Sequence, residues 1–129
     1  MQKIETEGLK NSIKLMGYID AKDLPGLYNG AVLLTLPALY EGFGLPPLEA
    51  MGCGTPVVVS NISSMPEVVG DAGILVDPKS VDSIADGLLS VLMDKKLQHE
   101  LAAKGIERAR EFSWENTGRK TLDVMESLK

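Results

Sequence analysis

The chain has 129 residues, 44% of them apolar and 24% charged, with a formal net charge of −5. That length carries one domain with a sizeable core, and the negative charge argues against nucleic acid or an anionic membrane surface as a partner. No apolar run approaches the roughly 18 residues of a membrane helix, and the single cysteine, Cys53, excludes an internal disulfide and fits a reducing, cytoplasmic setting.

Met1 to Lys10 is polar and reads as the frayed end of a helix, and Met1–Glu7 has no signal-peptide character. Ile13 and Leu15, with Gly17-Tyr18 as an exit, predict a short strand. Asp20 is placed to cap a helix over Lys22 to Asn29, with Pro25 in its first turns and Gly30 as its stop. Leu24, Leu27 and Tyr28 recur at i, i+3 and i+4, which makes Tyr28 a core residue rather than a site residue. A buried strand over Ala31–Leu36 follows and is stopped by Pro37.

The stretch Glu41-Gly42-Phe43-Gly44-Leu45-Pro46-Pro47-Leu48-Glu49 comes next. Gly42 and Gly44 flank Phe43 in a loop where backbone can approach a ligand closely. Pro46 and Pro47 suit the first turn of a helix that runs over Leu48–Met51 and stops at Gly52 or Gly54. N–H groups around Phe43, Gly44 and Leu45 then leave a helix N-terminus whose dipole favours an anion. Glu41 and Glu49, with seven residues between them, would repel a bare phosphate and are better matched to hydroxyl groups. Amides for phosphate beside carboxylates for hydroxyls describe a nucleotide sugar. Both carboxylates also fit plain roles, Glu49 as a first-turn residue favoured by the dipole and Glu41 as a solvated loop residue. The third glycine of the dinucleotide fingerprint is absent, which disfavours a dehydrogenase. A glycosidase pair is disfavoured too, because its carboxylates must flank one scissile bond.

Val57-Val58-Val59 predicts a strand covered on both faces. Asn61-Ile62-Ser63-Ser64 lies past that strand's C-terminal end and fits either a donor contact or a capped turn into Met65–Val69, where Glu67 is a first-turn carboxylate. Gly73–Val76 predicts another strand, closed by Asp77-Pro78. Three helices finish the chain. The first starts at Ser80 or Asp82 with Val81, Ile84, Ala85, Leu88, Leu89 and Leu92 as its stripe; Leu97, Leu101, Ile106 and Ala109 mark the second. Ser113 caps the third, and Trp114 is expected to anchor it to the body. The alternation gives an α/β fold with a parallel sheet of four strands flanked by helices. His99 belongs on the surface, Cys53 is expected as a small buried apolar residue, and no cluster has metal-ligand spacing, so neither a metal nor a cofactor is expected.

The run Glu41–Pro46 with Glu49-Ala50-Met51 and Gly54-Thr55-Pro56-Val57-Val58 resembles the donor-site signature of retaining glycosyltransferases of family 4. The likeness extends through Pro66-Glu67-Val68 and Gly73–Pro78 to Phe112-Ser113-Trp114, nearly the whole chain, and departs mildly at Ala38, where the family often has serine. It implies a Rossmann-like fold, with residues 1–129 an incomplete C-terminal nucleotide-sugar-binding domain of a two-domain enzyme. The parent would be a hexosyltransferase-type enzyme that moves a sugar from a nucleoside diphosphate sugar to an acceptor, with retention and without a metal, in glycan, polysaccharide or glycolipid biosynthesis. By the same resemblance Glu41 is catalytic beside the transferred sugar. The amides of Gly42, Phe43, Gly44 and Leu45 meet the donor sugar and diphosphate, and Glu49 holds the ribose. Part of the apolar face of the last helix would turn toward the other domain. The family's diphosphate-gripping arginine and lysine and its N-terminal acceptor domain have no counterpart here. The isolated chain is therefore expected to be inactive and to bind donor weakly. Other classes consistent with the residues are a non-catalytic sugar-nucleotide-binding or interaction module, and a fragment of a nucleotide-sugar epimerase or a phosphorylase.

Overall fold

The computed structural model describes residues 2–128. Its centre is a parallel sheet of three strands in the order β1 (Leu34–Leu36), β2 (Val57–Ser60), β3 (Ile74–Val76). The register pairs Leu34 with Val57 and Val58 with Ile74. Every residue of β2 is buried, as a central strand covered on both faces requires. Period-two alternation sends Val57 and Val59 to one face and Val58 to the other.

Helix α3 (Leu45–Gly52) crosses from β1 to β2 and α4 (Met65–Val69) from β2 to β3. With α2 (Leu24–Gly30), they cover the face of Val57 and Val59, where Met51, Met65 and Val69 are fully buried. Helix α5 (Val81–Met93) covers the opposite face through Val91. Helix α6 (Lys95–Arg110), capped by Asp94, contributes Leu101 to one core and Ala109 to the other. Its Gly105 lets α3 come close, since a Cβ there would stand 3.2 Å from that of Met51. Helix α7 (Trp114–Ser127) is capped by the Ser113 hydroxyl, which accepts from the Asn116 N–H at 3.1 Å. It buries no residue, and Leu122, Val124, Met125 and Leu128 are exposed. Among the described residues no helix is long and apolar enough to cross a membrane.

Several expectations need correction. The strand at Ile13 and Leu15 does not form, so the sheet has three strands rather than four. The Ser12 N–H closes the 3-10 turn at Leu9–Asn11 on the Leu9 carbonyl, which also takes the Ile13 N–H, and both the Ile13 and Leu15 side chains are exposed. Of the first ten residues Gln2–Thr6 form α1, and Met1 lies outside the described residues. Helix α2 begins at Leu24, not Lys22, because Pro25 has no N–H to donate and fits only the first turn. Asp20 instead accepts the Asp23 N–H through its carbonyl in the preceding turn. Strand β1 begins at Leu34 rather than Ala31: Ala31 ends α2, and Pro56 on β2's side cannot donate to a longer ladder. On α5 the buried residues are Gly87 and Val91; of the expected stripe Ile84 and Leu88 pack against the core, while Val81, Leu89 and Leu92 face outward. Gly87 decides this, because a Cβ there would lie 2.4 Å from Val76 Cγ1. Trp114 is 89% exposed and anchors nothing; Phe112, two residues earlier, has that role. Cys53 is half-buried against the first core, and His99 is exposed.

Candidate functional site

The glycine loop lies beyond the C-terminal end of β1, where open parallel sheets present their ligand crevice. Gly44 caps α3 at φ 102°, a conformation that L side chains rarely adopt. A Cβ there would also stand 2.2 Å from Cε of the fully buried Met65. Pro46 and Pro47 occupy the second and third helical positions, where no N–H is needed, and the first helical bond runs from Leu48 N–H to Gly44 O at 3.4 Å. Among the described residues, the N–H groups of Phe43, Gly44 and Leu45 donate to no protein acceptor.

Two carboxylates flank these amides. Glu41 is half-buried at the loop's start, with its main chain fixed by two serines. Glu49 is exposed on α3 and accepts a 3.1 Å hydrogen bond from the Tyr28 hydroxyl. Because α3 starts at Leu45, Glu49 lies in its second turn, beyond the reach of the helix-end dipole. The plain reading of Glu49 as a first-turn carboxylate is thereby weakened.

Tyr28 combines two functions that the apolar spacing of α2 separates. The residue is 8% exposed in the first core, and its carbonyl accepts the buried Thr55 hydroxyl at 2.8 Å. Its hydroxyl orients Glu49. A buried phenol needs a partner, and that requirement was the available signal for the pair. Burial, then the hydrogen bond to the Glu49 carboxylate and its charge, with a contribution from Cys53, push the phenol above its usual range. The folded state therefore holds this proton more tightly than the unfolded chain. The associated stability is complete below the unfolded phenol value of about 10 and is lost as pH rises through the raised value. Urea unfolding across that alkaline range should show a decline that Tyr28→Phe lacks.

Phe43 meets Phe112 edge to face at 5.8 Å between centroids. The Arg108 guanidinium lies 4.9 Å over the Phe112 ring. Arg108 also donates to the Val68 carbonyl at 3.0 Å and to the Glu67 carbonyl, and pairs with Glu111. Its charge is thus committed to the end of α4. An open groove of about 500 Å³ runs beside the loop between Phe43, Leu48 and Trp114, and among the described residues no lysine or arginine lines it. Glu67 is exposed and takes part through its carbonyl alone.

Residues 1–108 match the family described as glycosyl transferases group 1. The chain belongs to that family. The glycosyl transferases group 1 relatives include the O-antigen chain mannosyltransferase B of Escherichia coli, 45% identical over 127 residues, which cover 98% of this chain and 33% of the relative. Among solved structures, sucrose-phosphate synthase from Thermosynechococcus elongatus superposes with a TM-score of 0.88 at 28% identity, over 98% of this chain and 33% of that one. Anabaena HepE in complex with UDP-glucose gives a TM-score of 0.87 at 25% identity, over 98% of this chain and 35% of that one. The chain thus spans about a third of the length of each of these three proteins. These likenesses agree with the Rossmann-like architecture expected from the motif.

Proposed function

We propose that this chain is the C-terminal donor-binding part of a retaining glycosyltransferase that transfers mannose from a nucleoside diphosphate sugar, with the acceptor side supplied by another domain of the same protein. The single observation that carries this reading is the set of free amides at Phe43, Gly44 and Leu45, bracketed by Glu41 and Glu49 at the C-terminal end of a parallel strand. The amides at the start of α3 take the diphosphate and the sugar hydroxyls. Glu49, oriented by Tyr28, accepts from the ribose hydroxyls, and Glu41 faces the transferred sugar. As the bond from sugar to diphosphate breaks, positive charge grows on the sugar beside Glu41 and negative charge on the phosphate at the helix N-terminus. Mannose is favoured by the name and 45% identity of the Escherichia coli relative.

With no lysine or arginine along the groove among the described residues, weak binding to the chain alone is expected, since each hydrogen bond to a charged group is worth about 1.5–3 kcal/mol. Ligand-observed NMR of this chain with GDP-mannose, UDP-glucose and ADP-glucose tests the reading. One donor should give selective signal. Glu49→Ala should weaken that donor and its free nucleoside diphosphate alike by roughly tenfold or more. Silence from all three donors in a folded sample would overturn the proposal.

A further inference from the structure

We propose that Ser63 is a positioning residue for Glu41, fixing the angle at which the loop presents that carboxylate to the sugar; this rests on the donor-site reading above. Ser63 lies in the turn between β2 and α4, 22 residues from Glu41 in sequence. Its hydroxyl donates to the Glu41 carbonyl at 2.7 Å and accepts the Glu41 N–H at 3.2 Å. One side chain thereby holds both main-chain polar groups of one residue, which fixes the peptide planes on either side of it. The Ser64 hydroxyl donates to the same carbonyl at 3.0 Å. Ser64 occupies the N-cap position of α4 yet makes no side-chain cap bond there, so its hydroxyl serves the Glu41 loop instead.

Backbone strain points the same way. Among the described residues Ser63, at φ 62°, is the one non-glycine with positive φ, while five glycines adopt such values elsewhere. The left-handed conformation brings the Cβ of an L residue too close to the following carbonyl oxygen and is disfavoured. A glycine would relieve that strain, leave the Glu41 N–H without its partner and leave the Glu41 carbonyl to Ser64 alone. Strain of this kind persists where surrounding contacts over-determine the conformation. Here those contacts converge on a candidate catalytic residue. The loop's other attachments, Phe43 on Phe112 and Gly44 against Met65, lie after Glu41, so among the described residues the hydrogen bonds on its entry side come from the two serines.

Ser63→Gly separates positioning from folding. It should fold with an unchanged or higher unfolding midpoint, because the strain is gone, and the Glu41 amide should exchange faster with solvent. The affinity ratio of GDP-mannose to GDP, or of UDP-glucose to UDP if that donor binds, should fall by roughly five- to tenfold. Affinity for the nucleoside diphosphate itself should not change. Ser63→Asn tolerates the same backbone and returns a side-chain donor and acceptor, and should recover part of the ratio. A Ser63→Gly protein with faster Glu41 exchange and an unaltered ratio would overturn this inference alone, as would an asparagine variant that recovers nothing. A wild-type chain that binds no nucleotide sugar would overturn the donor-site reading and this inference together.

Discussion

Replacing Glu41 by alanine in an intact glycosyltransferase carrying this domain is expected to lower kcat by about 100- to 1,000-fold, the range for deleting one electrostatic contact to a developing charge. Stability should hardly move. The hydrogen bonds that secure residue 41 use its N–H and carbonyl, which alanine retains, and among the described residues its carboxylate has no protein partner. The substitution thus removes a charge at the sugar while leaving the loop in place. Steady-state rates beside thermal unfolding of the same preparation test this. Wild-type turnover in the variant would remove Glu41 from the reaction and with it the central assignment.

Gly73→Ala should produce the largest change in stability, about 3 kcal/mol, at the upper end for overpacking a core. Its added Cβ would lie 2.6 Å from Val57 Cγ2, 2.6 Å from Val69 Cγ1 and 2.9 Å from the Val57 carbonyl oxygen. Both valines are fully buried, and β-branched side chains have little freedom to swing aside. Relief would have to come from β2, which carries the sheet on both sides. An unfolding midpoint lower by roughly 10 °C is expected. Gly118→Ala is the control, because its Cβ enters open space on α7 and helix propensity favours alanine. Equal stability of Gly73→Ala and wild type would show that β2 and α4 are less tightly fitted than these distances require.

Where one residue type sufficed to define an environment, the sequence was legible. The β-branched run Val57–Val59 marked a doubly covered strand, and Ser113 marked the start of α7. The glycine loop with its two prolines likewise announced a strand, turn and helix start. Legibility failed where the deciding quantity was a distance between elements. The stripe on α5 holds at Ile84 and Leu88 and fails at Val81, Leu89 and Leu92, because Gly87, silent in a periodicity, sits against the sheet. Trp114 had the composition of an anchor, but Phe112 has the position, under Arg108 and against Phe43. In the site, the types and spacing of Glu41 and Glu49 were visible. Their supports, Ser63 and Tyr28, come from a loop and a helix that only the folded chain brings near.

The attachment of Phe43 through Phe112 and Arg108 to the carbonyls at the end of α4 bears on the thermodynamics of recognition. A free glycine loop would surrender its conformational freedom when a ligand arrives, at about 1–2 kcal/mol for each backbone residue ordered. Here the aromatic pair, the guanidinium and the two serines impose that ordering during folding, so association need not repeat it. The entropy of binding should accordingly be less unfavourable than a glycine-rich loop suggests. Loosening the α6–α7 corner by Phe112→Ala would move that cost back to the moment of binding.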